Sequence, residues 1–343
     1  MPSGNPYRQY TCDELNALIQ RHTVEVSSPS MPARPKLSVL IVTYNHVPFI
    51  AEALEGALRQ QVDFPYEIVV GEDRSTDGTT EIVLDYQKRY PDKIRVLLAS
   101  ENFGQYTGNG RFNFIRTLRA CRGEYVAFLE GDDYWTDPQK LQLQVEYLDQ
   151  NSGCAICHHK VNYINWPAGK VIREFPALRF RTPRLDPTDL AMINCIQTCS
   201  AVVRRKWIPP LDEEFQVLKL ADWPLFVLLS QKGWIGYLDR NMAHYRVHAN
   251  NVWNNRHAEF KIQALGVMAA YLLERVDTKS KDLWEDTVLA IAFKNMVLAA
   301  RSFSAGQFGK RLAFFIRHCV KFKKPFWVLN RLWPYYKAHN LAG

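Results

Sequence analysis

Three carboxylates fall close together in AFLEGDDYW, residues 127–135: Glu130, Asp132 and Asp133. Ala127 to Leu129 read as the end of a buried strand, so the acids arrive where the chain leaves the interior. Like charges at this spacing repel, and an ionised carboxylate is costly to bury without a partner. Either positive groups gather around them or they face water. Two adjacent carboxylates just after a strand suit a hard divalent cation, which takes oxygen ligands and shares them with substrate phosphates. The bland alternative is a turn in which an Asp caps the next helix. Asp137 before Pro138 already fills that role.

The elements that must position these acids form a rhythm of strand, polar loop and helix. LSVLIVT (37–43) is a near-continuous apolar run, as expected of a parallel strand covered on both faces. PFIAEALEGALRQ (48–60) has Ile50, Leu54, Ala57 and Leu58 at helical spacing. Strands are expected at 66–72, 94–99 and 124–129, and helices over 79–89 and around 111–121. This alternation implies an α/β fold with a parallel sheet.

Each strand runs into a polar loop: Tyr44-Asn45 after the first, Asp73-Arg74-Ser75 after the second, Ser100-Glu101-Asn102 after the third, and the acidic cluster after the fourth. Ligands of open α/β sheets bind beyond the carboxyl ends of strands, so the acids are expected to line a site there. NFGQYTGNGR (102–111) lacks the spacing of a P-loop or dinucleotide fingerprint and reads as a loop.

Past residue 150 the rhythm changes. Strands are expected at 154–164, 199–205 and 237–248, a short helix at 221–233, and helix from about 256 onward. Residues 1–36 end in PSMPARPK and read as an N-terminal extension or linker. Cys154-Ala-Ile-Cys157-His158 has the spacing of a haem attachment site, but alternation in CAICHHKVNYI favours a strand with core cysteines.

The chain has 343 residues, 47% hydrophobic and 23% charged, with a formal net charge of +8, the composition of a folded protein. From Arg301 onward there are nine Lys/Arg and no acids, while the rest carries 34 basic against 35 acidic residues. The basic character belongs to one tail, which excludes a globally basic nucleic-acid binder. No uncharged apolar run reaches the length of a transmembrane helix. Without an apolar leader, and with an odd cysteine count, the expected location is cytoplasmic.

In QFGKRLAFFIRHCVKFKK (307–324), Phe308, Leu312, Phe315, Ile316 and Cys319 fall on one helical face and Lys310, Arg317, Lys321 and Lys324 on another. Two readings stay open for 307–337: peripheral contact with the inner face of an anionic membrane, or a helix packed on the body with solvated lysines outside.

LSVLIVTYN, then VVGEDRSTDGT, then GEYVAFLEGDDYWTDPQKL, in this order and spacing, resembles the family 2 glycosyltransferases over about residues 37–250. The resemblance implies a GT-A fold: a mostly parallel, Rossmann-like sheet with flanking helices. Residues 37–150 would form its nucleotide-sugar half and 151–250 its acceptor half, with a helical, basic C-terminal region over 251–343.

It also implies an inverting transfer from a UDP- or dTDP-sugar to a glycan or lipid-linked acceptor, of the bacterial surface-polysaccharide type, assisted by Mg2+ or Mn2+. Thr43 and Tyr44 would approach the nucleoside, and Asp73 would hydrogen-bond the base. Asn45 and Glu72 (where a common Asp is replaced) would belong to the same donor site. Asp132 would take the ribose side and metal, and Asp133 the metal. His248, in YRVHANN, would meet the diphosphate or metal, or do nothing catalytic. Asp222, in KLADWPLF, matches the family's general base, though an Asp there is also a good helix cap.

The resemblance weakens between Asn102 and Gly123: Asn113-Phe114 stand where many members have Arg-Asn, and Arg111 is offset. Asp77 reads as a helix cap first. Two rivals remain. One is a sugar-phosphate nucleotidyltransferase, for which TYNHVPF lacks the Gly-rich loop and Lys; the other is a non-catalytic carbohydrate- or membrane-binding protein.

Overall fold

The computed structural model describes residues 10–249, 251, 257–301 and 305–322. They fall into two units, one drawn from residues 10–186, 195–217 and 232–248, the other from residues 187–194, 218–231 and the described residues beyond 248.

The first unit holds one eleven-stranded mixed sheet. Its strands are β1 (Thr23–Val26), β2 (Leu37–Thr43), β3 (Tyr66–Glu72), β4 (Ile94–Ala99), β5 (Tyr125–Glu130), β6 (Tyr134–Trp135), β7 (Cys154–Asn165), β8 (Lys170–Phe175), β9 (Arg184–Leu185), β10 (Val202–Arg204) and β11 (Trp234–Val247). The order is β1-β4-β3-β2-β5-β10-β7-β11-β6, with β8 beside β7 and β9 beside β11. β4, β3, β2 and β5 run parallel, so their carboxyl ends share one edge. β10 is antiparallel to both neighbours, while β7 and β11 pair in parallel.

The apolar runs that mark the strands become the core. Val39, Ile41, Ile68, Val70, Val96 and Ala127 are fully buried and pack with Ile50, Ala53, Leu54 and Ala57 of the helix Ile50–Leu58. Charges at the amino ends of the strands are paired. Glu67 on β3 is fully buried, yet accepts from Ser38 Oγ (2.7 Å), Arg95 Nη1 (2.9 Å) and Arg122 Nη2 (2.7 Å). Burial opposes its charge, but the Arg122, Ser38 and Arg95 bonds prevail and hold it below the usual carboxylate range.

Two stretches differ from expectation. The lead-in is more than a linker: Cys12–Arg21 is a helix closed by a capping box from Thr11 and Glu14, and β1 extends the sheet antiparallel to β4. The glycine-rich stretch contains a helical turn, Gly104–Thr107, and then the helix Arg111–Ala120, with Gly108 at φ 70 where the chain turns between them.

The second unit, among its described residues, is helical: Asp222–Ser230, Ala258–Leu273, Thr278–Arg301 and Ala305–Lys321. No helix among the described residues is long and apolar enough to cross a membrane. The buried Cys154, Cys157, His158 and His159 lie on β7, as a core strand requires.

Candidate active site

Four loops leave the parallel strands on one edge, and hydrogen bonds from backbone N–H groups to side-chain oxygens knit the first two together. Asn45, at φ 55, accepts from Thr76 N–H through Oδ1 (2.8 Å) and donates its own N–H to Ser75 Oγ (3.0 Å). His46 N–H donates to Thr79 Oγ1 (2.9 Å), and Val47 N–H to Asp77 Oδ2 (3.0 Å). Asp77 also accepts from Thr79 N–H (3.0 Å), so it stitches the loop to the start of the helix Thr79–Arg89, whose N-cap is Gly78. Between these contacts Tyr44 stays 44% exposed, while Thr43 is buried at the end of β2.

Glu72 and Asp73 divide the work of the second loop. Both Glu72 oxygens accept backbone N–H groups of that loop, from Ser75 (2.7 Å) and Arg74 (3.0 Å), which makes it a loop clamp. Asp73 is buried; its Oδ1 accepts from Phe103 N–H (2.7 Å) and its carbonyl from Asn102 Nδ2 (2.7 Å). Burial pushes the Asp73 carboxyl up to about 7, against the pull of the Phe103 bond and the Arg116 charge. Arg116 fastens this loop from beneath, donating to the Glu72 and Leu97 carbonyls (3.0 Å each), and Asn113 donates to the Gly71 carbonyl (2.8 Å). Arg111, offset in the sequence, is buried with its guanidinium 5.3 Å from the Phe215 ring centre.

The burial that raises Asp73 makes stability depend on pH. The carboxyl stays protonated in the fold up to about pH 7, but ionises near its ordinary value in the unfolded chain. Stability is therefore lost as pH rises from about 4 to about 7 and is flat beyond. Asp73→Asn keeps an acceptor for Phe103 and removes that loss. Its advantage in denaturant unfolding should widen by about 2 kcal/mol between pH 5 and pH 8. A constant advantage would show that Asp73 ionises normally.

At the end of β5 the opening electrostatic problem is resolved. Asp132 Oδ2 lies 3.1 Å from His248 Nε2 and 4.0 Å from His46 Nε2. Asp133 Oδ1 accepts from Arg246 N–H (2.9 Å), and Arg246 Nη1 donates to the Asp132 carbonyl (2.7 Å). Arg246 also pairs with Glu52 and lies 4.2 Å from the Tyr134 ring centre. Positive and titratable groups do surround the acids. Gly131 permits the close approach, since a Cβ there would stand 2.8 Å from both Thr43 Oγ1 and His46 Nδ1.

The two aspartates are held apart electrostatically. Burial works against the charge of Asp132, but the His248 bond and the His46 and His248 imidazoles outweigh it and hold Asp132 below the ordinary carboxylate range. Burial, then repulsion from Asp132 and Glu130, pushes Asp133 well up, only partly opposed by Arg246. Asp133 Oδ2 is buried with no partner at hydrogen-bonding geometry. His46 is pushed down, chiefly by burial.

An orphaned carboxylate oxygen beside an ionised carboxylate fits a divalent cation. Among the described residues, no group of three or more His, Cys, Asp or Glu side chains could hold a metal ion alone. Asp132 and Asp133 would leave most ligand positions of such an ion to other groups, such as substrate phosphates.

Asp222 belongs to the second unit. It is the first residue of the helix Asp222–Ser230, while Ala221, which makes no side-chain cap bond, occupies the N-cap position. Asp222 therefore lies one position inside the cap site. Its Oδ2 accepts from Asn194 Nδ2 (3.1 Å).

Two members of the site escaped the sequence reading, His46 and Arg246. His46 directly follows the Thr43–Asn45 group. Arg246, near the end of β11, is two residues before His248, which follows the strand.

The sequence model of glycosyl transferase family 2 matches residues 38–209, half of the chain. The protein belongs to this family. A protein of Mycobacterium tuberculosis (strain ATCC 25618 / H37Rv), Rv1520, is 39% identical over 223 residues, covering 65% of this chain and 62% of its own length. The chain thus spans under two thirds of that relative.

Among solved structures, S. aureus TarS in complex with UDP-GlcNAc superposes with a TM-score of 0.63 at 22% identity, over 82% of this chain and 81% of that one. The mannosyltransferase PcManGT of Pyrobaculum calidifontis, in complex with GDP-Man and Mn2+, does so with a TM-score of 0.52 at 18% identity, over 92% and 88%. The fold is GT-A.

Proposed function

We propose that the protein is an inverting glycosyltransferase that moves a sugar from a UDP- or dTDP-sugar to a hydroxyl of a glycan or lipid-linked acceptor. The observation that carries this reading is the split aspartate pair: Asp132 bonded to His248 and held below the ordinary carboxylate range, Asp133 buried and pushed well above it. Mg2+ or Mn2+, when bound, would offset the charge of the departing nucleoside diphosphate.

The protein's own residues do the rest. Tyr44, with Thr43 and Asn45 behind it, lines the nucleoside side of the edge. Asp73 takes the imide N–H of uracil or thymine, held in place by Phe103, Asn102 and Arg116 and in a loop clamped by Glu72. Asp132, aligned by His248, meets the ribose side. Asp222 removes the proton of the acceptor hydroxyl as its oxygen bonds to the anomeric carbon. The bond from that carbon to the diphosphate oxygen breaks in the same displacement, so configuration inverts. The enzyme would work in the cytoplasm, against the membrane that carries a lipid-linked acceptor.

A thermal-shift panel of UDP, dTDP, GDP, CDP and ADP, with and without Mn2+, tests this reading. Ligands that bind the native state raise its melting temperature by mass action. UDP or dTDP should stabilise the protein in a Mn2+-dependent manner. No shift with any nucleotide, in folded protein, would favour the non-catalytic alternative.

A further inference from the structure

The helix Ala305–Lys321 of the second unit carries three stripes. Leu312, Phe315, Cys319 and Phe322 form the first. Phe315 and Cys319 are buried against Leu289 and Ala292 of the neighbouring helix, and the Phe293 and Phe315 rings lie 5.9 Å apart. This stripe is the helix's packing face, so much of the apolar face expected from sequence is consumed inside the bundle.

The second stripe, Ala313, Ile316 and Val320, is left outside, with Ile316 43% and Val320 72% exposed. The third, Lys310, Phe314, Arg317 and Lys321, runs beside it and is exposed throughout, Phe314 to 50%. No ion pair is formed by Lys310, Arg317 or Lys321 among the described residues, whereas Arg311, on the inner side, is paired with Glu259. From Arg301 to the C-terminus the sequence has nine cations and no carboxylate.

We infer that this outer face is a docking surface for a bilayer containing anionic phospholipid. An apolar stripe flanked by cations matches acyl chains bordered by phosphate: Ile316, Val320 and Phe314 enter the interface while the lysines and arginine reach its headgroups. A nucleic acid or acidic protein would satisfy the cations but leave the apolar stripe in water. A second copy would set cationic stripe against cationic stripe. Only a lipid surface answers both features at once.

The test is flotation of the full chain with vesicles of phosphatidylcholine alone or mixed with phosphatidylglycerol. Binding should favour the anionic vesicles by at least about tenfold and fall with salt. Ile316→Ser with Val320→Ser should release the protein from the vesicles, and Lys310→Gln, Arg317→Gln and Lys321→Gln together should remove the anionic preference. All five side chains are exposed, so circular dichroism and nucleotide thermal shifts should match the parent in both variants. That readout separates this surface from the nucleotide site. Absence of binding to anionic vesicles, unchanged binding by either variant, or self-association through this face would overturn the inference.

Discussion

Asp133→Asn should lose Mn2+-dependent nucleotide binding and at least about 10²-fold of turnover, while melting no lower than the parent. Both halves follow from one feature. Asp133 is fully buried, repelled by Asp132 and Glu130, and its Oδ2 makes no hydrogen bond of good geometry, with the Cys199 thiol beside the carboxyl. A carboxylate so placed destabilises the fold wherever it ionises, because the unfolded chain releases its proton more readily. The folded pKa lies above the unfolded one, so this cost grows as pH rises through the ordinary carboxylate range. Asn removes it and still offers an oxygen to Arg246 N–H, which now donates over 2.9 Å.

The gain should be about 1–3 kcal/mol at neutral pH, read from denaturant unfolding. On the functional side, the variant loses an anionic oxygen suited to a cation. Charge neutralisation of a leaving phosphate is worth several kcal/mol, and each 1.36 kcal/mol is about tenfold in rate. Differential scanning fluorimetry with UDP and Mn2+ reads both effects. A variant that melts lower and still responds to nucleotide with Mn2+ would make Asp133 a structural carboxylate and remove the basis of the proposed metal site.

What could be read in advance was what local pattern carries. β2, β3 and β4 are apolar runs flanked by polar loops, and they occupy the expected residues. Their common edge follows from parallel pairing, which placed the Asp73 loop and the acidic cluster together in prospect.

What could not be read depends on partners far along the chain. The acids of 130–133 are compensated by Arg246 and His248, more than 110 residues later. Nothing in AFLEGDDYW announces them. β1 was illegible because TVEV is short and half-exposed, and becomes a strand only by pairing with the edge of β4. In the C-terminal helix, periodicity grouped Ile316 with Phe315 and Cys319, but packing took only the latter two. A helical wheel finds an apolar sector; the neighbouring helix decides how much of it is covered.

Asp222→Asn should reduce sugar transfer by about 10²–10⁴-fold and leave nucleotide binding unchanged. An Asp before Trp-Pro at a helix start has an obvious structural reading as a cap. The structure weakens it: Ala221, which makes no side-chain cap bond, holds the N-cap position, and Asp222 lies in the first turn. Asp222 contributes there a favourable charge near the helix amino end, typically about 0.3–1 kcal/mol, and, among its contacts, a bond from Asn194 that Asn can reproduce. A structural Asp222 therefore predicts a small fall in melting temperature with turnover intact. A general base predicts the reverse, because an amide cannot accept the acceptor's proton at any accessible pH. Measuring transfer from whichever nucleotide sugar the panel selects, beside the melting temperature, places Asp222 in one class or the other. Retained turnover would move the base to another residue and leave the Asp132–Asp133 donor site standing.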